Sequence, residues 1–540
     1  MNATVSVSPL IARRPHARDV GMSMSSRGAA RRAGQGAILV WAALALACGD
    51  DSKGAPASLP DDSPNDVADA SAPPGPAPSE GDAGIADVDL SGVWLGTLQV
   101  PSVPLRLVFN FERAPDGGWT GSADSPDQAA FGLPISSVEV DGDQVAVRLD
   151  DIGASFTGQM SSDGRTLSGI FEQGGGLLPL TLERQPGPLD YRRPQDPVAP
   201  FPYDSADVTF ASEQPGVTLA GTLTWPEGAG PFPAVVLITG SGAQNRDEDL
   251  LNHRPFLVLA DALTRAGVVV LRYDDRGVGQ STGDFAAATT PDLAQDTRGA
   301  VRFLREQTQA AVSTIGLVGH SEGGLIGPLV ADGNADVGFL VLLAGPAVDG
   351  KTVLISQSRA IAAADGTPPA ALDAAEAQQR ALYACVGAPE QPLAELDACL
   401  AGVLSEAGVS EADGAPIRAQ LETPWLRWFM SYDPAPVLRR TLVPVLALNG
   451  SLDLQVLADV NVPALQAAFQ EAGNERASVF ELEGLNHLFQ HATTGSPSEY
   501  ARIQETMAPE VLTQISDWIV GLPPSDPGEA PDGGLSDGGP

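Results

Sequence analysis

Two patterns of hydrophobic and polar residues divide the chain. From about residue 91 to residue 184, short runs alternate apolar with polar positions, as strands with one buried face do. Asp-Gly pairs that favour tight turns separate several of these runs. We therefore predict a small antiparallel β domain, a barrel or a sandwich, over residues 89–185. Its predicted strands cover 92–100, 105–111, 138–140, 145–149, 155–160, 166–171 and 178–182.

Further along, continuous aliphatic runs alternate with segments of helical spacing. The runs predict strands at 234–238, 268–271, 314–318, 339–343, 443–448 and 478–482. The helical segments are 255–266, 293–304, 323–331 and 509–520. This alternation predicts an α/β fold over residues 206–522, a mostly parallel sheet flanked by helices. Active sites of such sheets lie where the strands end, at their carboxyl edge.

The N-terminal 48 residues have the pattern of an export signal. Arginines precede an apolar run at 37–48, which is too short to span a bilayer. The run ends in Ala-Leu-Ala-Cys, followed by Gly-Asp-Asp, and so resembles a bacterial lipoprotein signal with Cys48 as the lipidated residue. An ordinary secretory signal with an incidental cysteine is the alternative.

Two segments have a composition that cannot form a packed core. Residues 49–88 and 523–540 are rich in Asp, Pro, Ser and Gly, so we expect a disordered linker and a disordered tail. The Pro-rich segment 186–205 is predicted to be a stiff linker between the β domain and the α/β domain. For the β domain, packing on the α/β domain is favoured over ligand binding.

The charge balance excludes one class of partner. Lys and Arg number 31 against 68 Asp and Glu, a formal net charge of −37. Because a phosphate backbone is bound by basic surface, no nucleic-acid partner is expected. Three cysteines are too few for a Cys-based zinc site, and neither a metal nor a cofactor is expected.

One motif predicts a nucleophile. Gly319-His320-Ser321-Glu322-Gly323 follows a predicted strand and precedes a predicted helix. This is the G-x-S-x-G arrangement, in which a sharp turn exposes the serine hydroxyl beside a helix N-terminus. A Gly-rich turn with a solvated serine is the alternative, but the strand and helix on either side favour Ser321 as nucleophile.

A serine nucleophile needs a base and an acid. Asp453 and His487 each follow a predicted strand, and the order Ser321, Asp453, His487 is that of α/β-hydrolases. His491 is the rival base. Rival acids are Asp433 and Asp459, whereas His320 is expected to point elsewhere on the turn.

An oxyanion hole needs two donors. The backbone N–H of Glu322 is expected to be one. The loop after the first aliphatic run supplies the other, for which we select the N–H of Ser241, with Gly242 as the alternate.

Three segments carry a family resemblance. Residues 238–248 (ITGSGAQNRDE), 271–283 (LRYDDRGVGQSTG) and 319–324 (GHSEGG) resemble bacterial EstD-like carboxylesterases, near the serine aminopeptidase S33 group. The resemblance extends over residues 207–522 and implies an α/β-hydrolase fold without cofactor. An N-terminal β domain is also familiar in that group.

A long insertion separates two predicted strands. Roughly a hundred residues lie between the strands 339–343 and 443–448, far more than a crossover needs. Its segments 370–384 and 393–404 predict helices. We expect a helical lid over about 350–432, with Trp425, Trp428 and Phe429 as pocket walls or, alternatively, as ordinary core.

Two cysteines lie within this lid. In an oxidising compartment Cys385 and Cys399 are the pair left once Cys48 is lipidated, so a disulfide is predicted. Two buried free thiols are the alternative.

The predictions converge on an exported serine hydrolase. Its substrate is expected to be a small-molecule ester, and its location the cell envelope, periplasmic or cell-surface, with membrane contact only through the lipid anchor. An aminopeptidase or amidase with the same triad is one alternative. An inactive cell-surface binding protein is another. Acyl length and oligomeric state are left open.

Overall fold

The computed structural model describes residues 88–99, 105–128, 130–189 and 191–523. The predicted signal segment with Cys48, nearly all of the linker 49–88, and tail residues 524–540 lie outside the described residues. The described chain forms two compact units that meet in sequence at Arg192 and Arg193. This boundary divides the predicted linker 186–205. Arg193 already belongs to the second unit, where its buried guanidinium donates to the carbonyls of Leu251, Asn252, Ala501 and Ile503.

The first unit is one nine-stranded antiparallel sheet, which confirms the predicted antiparallel β domain. Its neighbouring strands follow the order β4-β3-β2-β1-β9-β8-β7-β6-β5. One face buries a core that includes Trp94, Phe109 and Phe156. The strands are β1 Gly92–Leu98, β2 Leu105–Arg113, β3 Trp119–Ser125, β4 Ala130–Pro134, β5 Ser137–Asp141, β6 Gln144–Leu149, β7 Ala154–Met160, β8 Thr166–Gln173 and β9 Gly176–Arg184.

Strands β3 and β4 were not predicted from the sequence. β3 (WTGSADS) carries small and polar residues where the alternation would require apolar ones. Asp124 in this strand is buried because it accepts hydrogen bonds from Asn110, Gly132 and Tyr191. Side-chain hydrogen bonds therefore replace apolar packing there, and they leave no hydrophobic pattern.

The second unit contains an eight-stranded sheet in the order β10-β11-β13-β12-β14-β15-β16-β17. Each strand from β13 to β17 in this order, including β12, is parallel to its neighbours within that run. Strand β11 pairs antiparallel with both β10 and β13. The strands are β10 Tyr203–Ala211, β11 Thr218–Pro226, β12 Phe232–Ile238, β13 Val269–Tyr273, β14 Val312–His320, β15 Val337–Leu343, β16 Val445–Gly450 and β17 Ala477–Leu482. The hairpin β10–β11 was not predicted.

Helices cover this sheet on both faces. Successive residues of β12 enter opposite cores: Val236 packs in one and Val235 in the other. In the described part, no helix is long and apolar enough to cross a membrane. The helices are α1 Pro255–Arg265, α2 Thr290–Glu306, α3 Gly323–Ala331, α4 Gly350–Ala364, α5 Pro369–Cys385, α6 Leu393–Glu406, α7 Glu411–Leu421, α8 Pro424–Ser431, α9 Ala435–Leu438, α10 Ala458–Ala472 and α11 Pro509–Val520.

Helices α4 to α9 lie between β15 and β16 and are called here the helical insertion. Its own apolar core includes Leu382, Leu396 and Leu421, which are all fully buried. A disulfide joins Cys385, the last residue of α5, to Cys399 in α6, with a Cα–Cα distance of 5.7 Å. Both cysteines therefore belong to the insertion.

Candidate active site

Ser321 occupies a strained turn between β14 and α3. Its φ of 52° lies in the left-handed region that side chains other than glycine rarely adopt. Glycines make room for this turn. A Cβ at Gly319 would overlap the carbonyl of Gly323, and a Cβ at Gly323 would overlap the carbonyl of Ile238. The turn thus holds Ser321 at the carboxyl end of β14, beside the N-terminus of α3.

The predicted base and acid meet in the fold although 34 positions separate them. Asp453 lies in the loop after β16, and His487 lies in the loop after β17. Both are buried, and His487 Nδ1 lies 2.8 Å from Asp453 Oδ2. The other carboxylate oxygen accepts hydrogen bonds from the backbone N–H groups of Gln455 and Val456, at 2.8 and 2.9 Å. These bonds fix the carboxylate and orient the imidazole.

The rival residues lie elsewhere. His491 is on the surface, where its ring nitrogens contact Glu505 and Glu510. Asp433 is exposed and accepts a hydrogen bond from the N–H of Ala435 at the start of α9. Asp459 is an exposed residue in the first turn of α10. Each therefore has the local role of a solvated or capping group.

The loop after β12 lies directly over the nucleophile. A Cβ at Gly240 would stand 3.2 Å from the Cβ of Ser321. The N–H of Gly240 donates to the buried carboxylate of Glu248 at 2.8 Å. Ser241, the next residue, lines the pocket beside Ser321, whereas Gly242 is not among the lining residues. Glu248 was given no role from the sequence, because nothing local marks it as a partner of this loop.

A pocket opens at Ser321. Ser241, Ser321 and Glu322 form its polar end, and Gln357 and Gln455 also reach it. The other lining residues are apolar: Pro346, Val353, Leu354, Trp425, Phe429 and Val456. The three aromatic residues expected as walls, Trp425, Trp428 and Phe429, can therefore be compared with this lining one by one.

Of those three aromatic residues, two line the pocket and one does not. Trp425 and Phe429 stack with ring centroids 5.3 Å apart on the pocket side of α8. Trp428 is not a lining residue. Its ring stacks on Tyr432 at 4.4 Å and packs on the core of the insertion. The expectation that Trp428 forms a wall is therefore wrong, because its ring turns to Tyr432 and to the core of the insertion, which was the alternative.

The side chain of Glu322 links the nucleophile turn to the insertion. Its Oε1 accepts hydrogen bonds from Thr290 Oγ1 at 2.6 Å and from Trp425 Nε1 at 2.8 Å. Burial raises the pKa of this carboxyl above its ordinary value, although the two hydrogen bonds oppose the change. Sequence reasoning used only the backbone of Glu322 and missed this link, which joins residues 103 positions apart.

Metal ligands are not gathered anywhere in the part of the chain that the structure describes. No group of three or more His, Cys, Asp or Glu residues there could hold an ion. The reacting groups present at the site are a hydroxyl, an imidazole, a carboxylate and backbone N–H groups.

Sequence comparison finds a family model and a curated relative that match this chain. Residues 254–373 match the family model described as serine aminopeptidase, S33. This match includes Ser321 and ends before Asp453. The curated protein Esterase EstD of Thermotoga maritima is 26% identical over 338 residues, which cover 62% of this chain and 72% of that relative.

Solved structures align over a similar share of the chain. The Pyrococcus furiosus esterase Pf2001 aligns with a TM-score of 0.37 and 14% identity, covering 59% of this chain and 91% of that one. The proline iminopeptidase of Mycobacterium smegmatis aligns with a TM-score of 0.36 and 16% identity, covering 58% and 98%.

Proposed function

We propose that this chain, an EstD-like α/β-hydrolase, is a serine hydrolase of carboxylic esters that uses Ser321, His487 and Asp453. The observation that carries the proposal is the 2.8 Å contact between His487 Nδ1 and Asp453 Oδ2. The ring of His487 lies 4.7 Å from that of His320, which precedes Ser321 on the strained turn. A serine hydroxyl is a poor nucleophile unless a base removes its proton. Both the base and the group that orients it are thus available.

The first half-reaction forms an acyl-enzyme. Ser321 Oγ attacks the ester carbonyl while His487 Nε2 removes the hydroxyl proton. Asp453 accepts a hydrogen bond from Nδ1, which fixes the tautomer that leaves Nε2 free to act as the base, and its charge stabilises the imidazolium. The imidazolium then protonates the departing alcohol, and the bond from carbonyl carbon to alkoxy oxygen breaks.

The second half-reaction repeats these steps with water as the nucleophile. His487 deprotonates the water, which attacks the acyl carbon, and Ser321 leaves as the protonated hydroxyl. In both halves the carbonyl oxygen becomes negatively charged. We assign the backbone N–H groups of Glu322 and Ser241 as its donors, since both residues line the pocket beside Ser321.

The lining of the pocket favours uncharged acyl groups. An aminopeptidase needs a charged acid to hold the free ammonium of its substrate. Among the lining residues Glu322 carries the one carboxyl, and it already accepts two hydrogen bonds while burial raises its pKa. A carboxyl whose charged form is disfavoured by burial and which two hydrogen bonds already engage attracts an ammonium weakly, so esters with apolar acyl chains fit better than peptides with a free amino end.

The helical insertion is proposed to act as the lid of this pocket. It contributes Val353, Leu354, Trp425 and Phe429 to the lining, so its position sets the space for the acyl chain. Of these residues, Trp425 is bonded to the turn that carries the nucleophile. A shift of the insertion would therefore displace the hydrogen bond between Trp425 and Glu322, directly beside Ser321.

The test is turnover of matched substrates by the purified protein. We expect hydrolysis of p-nitrophenyl butyrate, little hydrolysis of aminoacyl p-nitroanilides, and covalent labelling by a fluorophosphonate probe. The Ser321→Ala protein should show neither turnover nor labelling. Faster cleavage of the aminoacyl anilides would establish the aminopeptidase instead. A wild-type protein that is not labelled would support the inactive binding protein.

Export and anchoring are proposed on the sequence alone, since Cys48 lies outside the described residues. An apolar run that ends in Ala-Leu-Ala-Cys before an acidic segment supports lipidation at Cys48. We expect the wild-type protein in the membrane fraction of the cell envelope and the Cys48→Ala protein in the soluble fraction. An acylated, membrane-bound Cys48→Ala protein would end the proposal.

A further inference from the structure

A second histidine and carboxylate pair, His320 and Glu248, lies next to His487 of the proposed triad. Glu248 Oε1 accepts hydrogen bonds from the N–H of Gly240, at 2.8 Å, and from His320 Nδ1, at 2.9 Å. The side chains of Glu248 and His320 are 5% and 8% exposed, so both are removed from bulk water. Residues 248 and 320 lie 72 positions apart, and the fold alone brings them together.

The other ring nitrogen of His320 contacts the loop of the proposed base. His320 Nε2 lies 3.0 Å from the carbonyl oxygen of His487, and the two imidazole rings are 4.7 Å apart. A carbonyl can only accept a hydrogen bond, so Nε2 must carry a hydrogen. Because Nδ1 faces a carboxylate, it carries one as well, and the ring is an imidazolium. The pKa of His320 agrees: burial lowers it, but the charge and hydrogen bond of Glu248, the carbonyl of His487 and the charge of Asp453 together raise it above its ordinary value.

These contacts join three loops that must act together. Gly240 precedes Ser241, His320 precedes Ser321, and the carbonyl belongs to His487. The pair thus forms hydrogen bonds at the residue before the oxyanion donor, at the residue before the nucleophile, and at the base itself. A displacement of about 1 Å in such an arrangement is enough to cost a large factor in rate.

We propose that Glu248 and His320 are positioning residues, a buried ion pair that holds the loops of Ser241 and His487 in register with Ser321. The inference rests on the proposed function and deepens it. Stability gives a weaker reason for the pair, because a buried ion pair is often no more stabilising than apolar residues of similar size. Glu248 also has a φ of 52°, and its Oε2 is buried without a hydrogen-bond partner among the described residues, so the arrangement is costly.

The first test separates the effect on turnover from that on substrate binding. In E248Q the amide oxygen can still accept from Gly240, but the charge is lost, and H320Q removes the imidazolium. With rates normalised to fluorophosphonate-titrated sites, we expect kcat to fall about 10²-fold in each while KM changes little. Affinity for a trifluoromethyl ketone, which forms the tetrahedral adduct, should fall by a similar factor.

A matched pair on the surface is the control. His491 Nδ1 lies 2.9 Å from Glu505, the same type of contact at the same distance but with a half-exposed ring. H491Q and E505Q should retain wild-type kcat and ketone affinity. Equal losses in both pairs would overturn the proposal, because they would show a general effect of removing a histidine and carboxylate pair.

The double variant tests whether the two residues act as a unit. E248Q/H320Q should lose no more kcat than the worse single variant, since either change already breaks the pair. Multiplying losses, or normal kcat per titrated site with only a lowered thermal midpoint, would overturn the proposal. If wild-type sites are not titrated at all, the proposed function fails instead.

If the variants of Glu248 or His320 do not fold, a measurement on a protein that keeps both residues still tests the ion pair. With ¹⁵N-labelled histidine in the H491Q protein at pH 8, one ring should show two protonated nitrogens. Spectra in which every histidine is neutral at that pH would overturn the ion pair.

Discussion

At the scale of single residues, Asp453 offers a sharp test because its surroundings accept one close replacement. Asn has the same shape and can accept the N–H groups of Gln455 and Val456 through its oxygen. Its amide then faces His487 Nδ1 and favours the wrong tautomer of the ring. We expect Asp453→Asn to lower kcat about 10⁴-fold, measured with p-nitrophenyl butyrate, and Ser321→Ala to abolish turnover.

The control for this prediction is Asp459→Asn. Asp459 is an exposed acid six positions further along, at the start of α10, and its replacement should leave kcat unchanged. A loss of less than tenfold in Asp453→Asn would mean that another group orients His487, and the assignment of the acid would be wrong.

At the scale of elements, α8 is expected to set the acyl preference. Trp425 lines the pocket and donates to Glu322, so Trp425→Ala removes a wall and the hydrogen bond together. The vacated volume should accept longer chains. We expect the ratio of kcat/KM for p-nitrophenyl octanoate to that for the acetate to rise about tenfold, as one lost pocket contact of about 1–2 kcal/mol implies.

Trp428→Ala is the matched change on the same helix. Trp428 stacks on Tyr432 and does not line the pocket, so this variant should lose stability without changing the acyl preference. The same shift in both variants would indicate that loosening of the helix, rather than the space at residue 425, controls the preference.

The disulfide is a second device at this scale. It closes a loop with a sequence separation of 14 inside the helical insertion. Closing a loop of this size is worth roughly 3 kcal/mol in the chain-entropy model. We expect reduction to loosen the insertion and alter acyl preference before the sheet unfolds, as followed by proteolysis and circular dichroism.

Thiol labelling tests whether the disulfide is present. In the denatured but unreduced protein, Cys385 and Cys399 should not react, whereas after reduction both should. Two reactive thiols before reduction would exclude the bridge, and an unchanged acyl preference after reduction would separate the bridge from the pocket.

At the scale of the whole molecule, His253 makes stability depend on pH. Its ring is fully buried and contacts Thr506 and the carbonyl of Tyr500. Burial, together with the charge of Arg193, lowers the pKa of His253 to about 4. The unfolded chain therefore binds a proton near pH 6.5, whereas the folded protein resists it until about pH 4.

This difference in pKa sets the sign of the pH dependence. Stability is complete above about pH 6.5 and falls as the pH drops, by about 2 kcal/mol at pH 5 for this one group. We expect His253→Gln to lower stability at pH 7.5 and to reduce the further loss between pH 7.5 and pH 5, measured by urea unfolding.

His491→Gln serves as the comparison, because contacts with Glu505 raise the pKa of His491 and reverse the sign. Its replacement should leave the acid loss as large as in the wild type, or larger. An acid loss in His253→Gln equal to that of the wild type would show that other groups cause it.

Much of the proposed site could be predicted from the sequence, for a physical reason. The serine turn needs glycines at fixed local positions, and buried parallel strands leave continuous aliphatic runs. Since the carboxyl ends of such strands meet at one edge, Ser321, Asp453 and His487 could be selected by their positions just after these runs. The contact between His487 and Asp453, at 2.8 Å, lies where that reasoning expects it.

The tertiary structure alone decided the contacts between distant side chains. Glu248 reaches His320 across 72 positions and Trp425 reaches Glu322 across 103, and neither pairing leaves a local pattern. The same holds for β3, where buried Asp124 stands in place of an apolar residue, and for Trp428, whose direction depends on how α8 packs. Periodicity reports which face of an element is buried, whereas the partner of a buried polar group is set by the packing of whole elements.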